Sequence, residues 1–269
     1  MKDKRIILTG AAGGIASLLA QKLDAAGARL CLTDINGEAL QSVQQSLFSG
    51  TEQQTVVADI GKVEDRARIV QQTLDQFGGI DLLINAAGIN PFGIYADQDN
   101  ALIQKTVEIN LLGPMLLTRA VLPTMLAQDS GQIVNIGSTF GSIGFAWFAA
   151  YSASKFALRG FSQALRRELR ETGIKVTYVA PRAVRTAINS PAVYDMAKAI
   201  KMNMDEPERV AEQIMMTIRK RDKERYLGFP ESLFVRINAL FPGIVDRATR
   251  KQNSTARKYA EQVNANTSG

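Results

Sequence analysis

RIILTGAAGGIASLLAQKLDAAG, residues 5–27, changes character twice within 23 residues. RIILT is apolar and β-branched, as a buried strand requires. TGAAGGIA (Thr9–Ala16) is built of small residues. LLAQKLDAAG then carries helical periodicity and stops at Gly27. A strand, a glycine-rich turn and a helix in this order let the backbone approach a pyrophosphate, with the N–H groups of the helix start pointing at it. A plain glycine-rich turn has the same look. The next strand, RLCLTD (29–34), ends in Asp34, 20 residues beyond Gly14. A carboxylate at that spacing accepts both hydroxyls of an adenosine ribose and repels a 2′-phosphate. Ile35 follows, and no Arg or Lys stands beside Asp34. Turn and acid together predict a dinucleotide site that takes NAD, with NADP as the alternative.

The alternation continues. QTVVAD (54–59), IDLLIN (80–85), GQIVNIGS (131–138) and IKVTYVAP (174–181) read as strands, and RYLGF (225–229) as a seventh. Helical stretches lie between them, including two helices near 99–111 and 113–128 and a long one over 149–172. Apolar strands separated by helices predict an α/β fold: a Rossmann-type, doubly wound, mainly parallel seven-stranded sheet with helices on both faces. Ligands of such sheets bind beyond the carboxyl ends of the strands.

Composition narrows the chemistry. The chain of 269 residues has one cysteine and no histidine. An internal disulfide, a Cys-cluster metal site and the usual general base are excluded, and no metal is expected. Cys31 lies in an apolar run and reads as a buried thiol. The N-terminus lacks the apolar core of a signal peptide, and no uninterrupted apolar run approaches the ~18 residues of a membrane span. A cytoplasmic protein is expected. The net charge of +6 is local: residues 219–269 hold 11 Lys/Arg against 5 Asp/Glu, and the remainder is balanced. So localised a basicity argues against nucleic acid as a partner.

Further motifs fall at strand ends. Asp59-Ile60 follows the third strand, Asn85-Ala86-Ala87-Gly88 the fourth, Ser138 the fifth and Pro181 to Thr186 the sixth. YSASK (151–155) puts Tyr151 and Lys155 one helical turn apart. From about residue 4 to 228 the sequence resembles the short-chain dehydrogenase/reductase family. The resemblance implies a catalytic set of Asn110, Ser138, Tyr151 and Lys155. It implies a cofactor site at Gly10, Ala12, Gly14, Ile15, Asp34, Asp59, Ile60, Asn85, Ala86, Gly88, Pro181 and Thr186, joined by Tyr151 and Lys155. It also implies a homodimer or homotetramer. Two positions depart from the family pattern. Ala16 replaces its third glycine, and Arg182 follows Pro181 where glycine is usual. A guanidinium there reaches either the pyrophosphate, an acidic substrate group or solvent.

These residues suggest a proton mechanism. A free phenol, with a pKa of about 10, is a poor base at neutral pH, and a nearby cation stabilises its ionised form. Lys155 would supply that charge, Ser138 would orient the substrate oxygen, and Asn110 would hold a relay water or else serve only as a helix kink. Phe140 and Phe145 before the tyrosine, and Tyr194 in an expected lid over 187–204, suggest a hydrophobic small-molecule substrate, steroid- or lipid-like. A 3-oxoacyl reductase is the alternative enzyme, and a non-catalytic cofactor-binding or membrane-peripheral scaffold the alternative of another class. Residues 1–228 form the expected catalytic domain. Residues 229–269 form a basic amphipathic extension, divided at Pro242-Gly243, with a disordered end and a peripheral membrane contact through 230–251 as one reading.

Overall fold

The computed structural model describes residues 1–48 and 50–267. Seven strands form one parallel sheet in the order β3-β2-β1-β4-β5-β6-β7. They are β1 Arg5–Thr9, β2 Arg29–Asp34, β3 Gln53–Val57, β4 Leu82–Asn85, β5 Gly131–Ile136, β6 Ile174–Ala180 and β7 Glu224–Tyr226. The order reverses between β1 and β4, which leaves a crevice at their carboxyl ends.

Neighbouring residues on each strand point to opposite faces, and the core divides accordingly. Ile6, Leu8, Leu30, Leu32, Leu82, Ile84 and Val134 face one way, under α1 (Gly14–Ala25), α2 (Gly37–Gln45) and α8 (Pro207–Lys220). Ile7, Cys31, Leu83, Ile133 and Val176 face the other way, under α3 (Val63–Phe77), α5 (Gly113–Ala127) and α6 (Ala149–Glu168). Cys31 is buried as expected, and burial pushes its thiol up to about 11.

Two expectations need correction, and the lid region gains an element. The two helices expected near 99–128 are one continuous rod. α4 (Asn100–Val107) runs through a π-helical turn, Glu108–Leu112, into α5. Its 28 residues are long and apolar enough to cross a bilayer by length and composition, but Leu117, Val121 and Met125 are buried against the sheet. The lid region contains a helix, α7 (Pro191–Ala199), capped by the Ser190 hydroxyl. The chain beyond residue 250 is helical, where a frayed end was expected. α9 (Glu231–Leu240) and α10 (Pro242–Thr267) meet at the Pro242-Gly243 break. Ala256 and Ala260 of α10 are buried against Phe148, Val193 and Met196. Ser268 and Gly269 lie outside the described residues.

Candidate active site

The glycine-rich turn is shaped by contact. Gly10 has φ +63, and a Cβ there would lie 2.6 Å from the Ala87 Cα. Only glycine suits both the left-handed backbone and the close approach. The Thr9 hydroxyl reinforces that approach by accepting from the Ala86 and Ala87 N–H groups at 3.0 and 3.2 Å. At Gly14 a Cβ would meet the Thr186 methyl at 2.8 Å, so the turn is packed directly on the loop after β6. Ala16, the substituted glycine, is accommodated within the core.

A cleft of about 430 Å³ opens over this turn. Gly10, Ala12, Gly14, Ile15, Asp34, Asp59, Ile60, Ala86, Gly88 and Thr186 line it. Asp34 sits at the tip of β2. Its carboxylate accepts from the Ala12 N–H at 3.0 Å and the Asn36 N–H at 3.0 Å, so it is fixed beside the turn. Capping of α2 falls to the Asn36 side chain. Among the described residues that line the cleft, none is Lys or Arg. A backbone cradle that any Cβ would fill, beside a fixed carboxylate, fits the adenosine and pyrophosphate of a dinucleotide.

The cleft adjoins a second cavity of about 120 Å³, and Ile15, Ala86, Gly88, Ile136, Thr186 and Ile188 line both. Ser138, Phe140, Tyr151, Lys155 and Pro181 close in around it. Ser138 is pinned from behind. Its N–H donates to the Tyr178 hydroxyl at 3.3 Å, and that hydroxyl donates to the Ser138 carbonyl at 3.2 Å. Tyr178 is fully buried on β6, and Gly137 and Gly141 have no room for a side chain beside its ring. Sequence reasoning missed this brace, because a tyrosine in a buried strand looks like ordinary core.

The electrostatics differ from the sequence expectation. Burial pushes the Tyr151 phenol up to about 12, and a hydrogen bond with Ser138 opposes this only in part. Burial lowers Lys155 to about 8. Its ammonium lies 5.7 Å from the Tyr151 ring centre and donates to the Ile136 carbonyl at 3.1 Å. Desolvation therefore outweighs the expected stabilisation of phenolate by lysine.

Some expected residues stand outside the cavities. Asn85 donates to Asn135 Oδ1 at 2.8 Å and to the Thr118 hydroxyl at 3.3 Å, tying β4 to β5 behind the cleft. Asn110 occupies the π turn and is fully buried. Its amide accepts from the Ile89 N–H at 2.8 Å, and donates to the Ile89 carbonyl at 2.9 Å and to Ser154 at 3.1 Å. One amide N–H thus braces the loop after β4 and the other reaches α6. Tyr194 turns away from the cavity and donates to the Thr186 carbonyl at 3.0 Å, while Val193 and Met196 of the same helix face inward. Phe145 stacks on Phe140, with ring centres 5.0 Å apart, and lines a neighbouring cavity.

Arg182 goes neither to the pyrophosphate side nor into solvent. It donates twice to Asp205, at 2.9 and 2.7 Å, and to Glu231 at 2.7 Å and the Phe229 carbonyl at 3.0 Å. Arg185 pairs with Glu206 at 3.0 Å on the surface.

The model of the short chain dehydrogenase family matches residues 4–197. The chain belongs to that family. Dehydrogenase/reductase SDR family member 7B of Mus musculus is 32% identical over 270 residues, covering 96% of this chain and 84% of its own. The uncharacterized oxidoreductase YxnA of Bacillus subtilis is 30% identical over 258 residues, covering 93% and 72%. Among solved structures, a short-chain dehydrogenase from Streptomyces avermitilis superposes with a TM-score of 0.79 at 28% identity, covering 92% of this chain and 97% of its own. An actinorhodin polyketide ketoreductase with NADPH gives 0.76 at 29%, covering 84% and 97%. This is an oxidoreductase family that uses nicotinamide cofactors.

Proposed function

We propose that this short-chain dehydrogenase interconverts a secondary alcohol and a ketone on a hydrophobic substrate, with NAD as its cofactor and Tyr151 as the acid/base. The observation that carries the cofactor choice is Asp34, held at the tip of β2 in a cleft whose described lining residues include no Lys or Arg. A 2′-phosphate would meet a carboxylate and no countercharge.

The nicotinamide, when bound, carries the hydride. The chain supplies orientation and the proton. Ser138 holds the substrate oxygen and Tyr151 gives or takes its proton. With Tyr151 pushed up to about 12, the phenol is neutral at pH 7 and carries the proton that a developing alkoxide takes when a ketone is reduced. Abstraction from an alcohol requires additional positive charge nearby, from Lys155 and an oxidised nicotinamide together. Phe140, Phe148, Val193, Met196 and Met202 around the reacting position support a hydrophobic substrate.

The test measures kcat/KM with NADH and NADPH on a panel of apolar ketones. NADH is expected to be preferred, and Asp34→Ala to erode that preference. Equal efficiency with both cofactors in the wild type would overturn the assignment.

A peripheral membrane contact through 230–251 is a second proposal. Leu240, Phe241 and Ile244 are exposed around the break between α9 and α10, with Arg236, Arg247, Arg250 and Lys251 nearby. Salt-sensitive sedimentation with anionic vesicles is expected. Sedimentation unchanged on truncation at residue 229 would refute it. Assembly into an oligomer is proposed as well, since members of the family commonly oligomerise.

A further inference from the structure

Beside the catalytic cavity lies a third, of about 380 Å³ against 120 Å³. Its walls come from three places. Phe140 and Phe145 come from the loop before α6, Ile200 from the end of the lid, and Phe234, Ile237 and Val245 from α9 and α10. Phe140, Arg182, Ala183 and Met202 line both this cavity and the catalytic one. The shared wall includes Met202, an unbranched side chain with three rotatable bonds, which yields readily to an entering group. Glu231 in the lining is held by Arg182, which also pairs with Asp205. Lys201 is exposed to solvent. The remaining lining is largely apolar, and nothing buried in it calls for a charged head group.

We propose that this cavity holds the hydrocarbon chain of the substrate. The reacting carbonyl or hydroxyl sits at Ser138 and Tyr151, and a flexible, uncharged alkyl tail passes Met202 into the chamber roofed by α9 and α10. The proposal rests on the oxidoreductase reading and names the substrate class within it: long-chain ketones or secondary alcohols. Two features commit the cavity to a tail of the substrate. It lies against the catalytic cavity, with Met202 among the four residues of the common wall, and it is about three times larger. Each methylene placed in such an apolar site multiplies affinity by about fourfold.

The test uses the full chain and a series from 2-butanone to 2-decanone. Binding is followed without nicotinamide through Trp147, the protein's single tryptophan. Its indole N–H donates to the Asn253 carbonyl of α10 at 3.1 Å, so it reports on the chamber's outer wall. Turnover is measured on the same series with NADH. Wild-type affinity is expected to climb steeply with chain length. Ile237→Phe, which fills the chamber, is expected to weaken 2-decanone binding by about tenfold or more. Ala248→Leu fills the same space from α10 and replaces Ile237→Phe if that variant melts abnormally. Leu240→Ala, outside the chamber, should leave the whole profile intact.

No dependence on chain length in the wild type, or an unchanged dependence in the filled variants, would overturn the proposal. A filled variant that alters sedimentation but not ketone binding would mean the chamber receives a second copy of the chain, and would overturn it too. The two readings fail separately. Binding of 2-decanone without turnover of any ketone sinks the activity and keeps the chamber, whereas turnover with no gain from length does the reverse.

Discussion

Replacing Lys155 by methionine should stabilise the protein while abolishing its turnover. Lys155 is buried, and its pKa falls from 10.5 to about 8. At ~1.4 kcal/mol per pH unit, the buried ammonium costs about 3 kcal/mol near pH 7. Methionine has similar length and no charge, and so avoids that cost. It also leaves the Ile136 carbonyl without its donor, a loss of about 1 kcal/mol. The net gain is about 2 kcal/mol, or about 4–8 °C in melting temperature for a chain of this size. The pH dependence follows from the direction of the shift. Between about pH 8 and 10.5 the unfolded chain holds a proton that the folded protein has released, so wild-type stability rises with pH in that window. The variant lacks this rise. Its advantage is therefore full at pH 7 and nearly gone by pH 10. Thermal unfolding of both proteins without nicotinamide, from pH 7 to 10, checks this. A variant that melts below wild type at pH 7, or a gap that does not narrow with pH, would refute the reasoning. Such a result would mean that the amine is hydrated or paired in solution.

Tyr151→Phe should lower kcat by at least about a hundredfold and leave NADH binding within a factor of a few, as fluorescence titration would show. Gly10→Ala should cost about 1–3 kcal/mol of stability and most of the cofactor affinity, because its methyl would press on the Ala87 backbone at φ +63. Arg182→Ala should destabilise by about 3 kcal/mol in chemical denaturation by leaving the buried Asp205 carboxylate unpaired. Arg182→Lys should rescue it only partly, since an ammonium cannot make the paired contact.

Much of the fold was legible because each strand carries its own signal. RIILT, RLCLTD and IDLLIN are apolar on both faces, which only a sheet covered on both sides requires. The cofactor turn was legible for the same local reason, since Gly10, Gly14 and Asp34 lie within 25 residues. The helix through 100–127 was misread at Gly113-Pro114, where proline after glycine resembles a helix start. In the structure a π turn stands just before it, and the rod continues. The lid and the extension were the least legible parts. Their apolar residues pack on one another and on Phe92 and Phe148, far away in sequence, so Ala256 and Ala260 gave no hint of burial until α10 met α7. Tyr178 was invisible as a brace for Ser138 because its partner lies 40 residues away. The expected lowering of the Tyr151 pKa by Lys155 is opposed by burial, which the sequence does not display.

Arg182 joins three stretches of chain that sequence alone treats as unrelated. Its partners stand 23 and 49 residues away, one at the base of the lid and one at the start of the extension. In a descendant or a chimera these stretches cannot be exchanged singly. A lid transplanted without its acid at 205, or a tail without its acid at 231, arrives at a guanidinium it does not satisfy. Arginine at 182 and its two acids should thus be inherited as a set. A search of genomes for chains carrying all three would single out those that close their chamber in the same way.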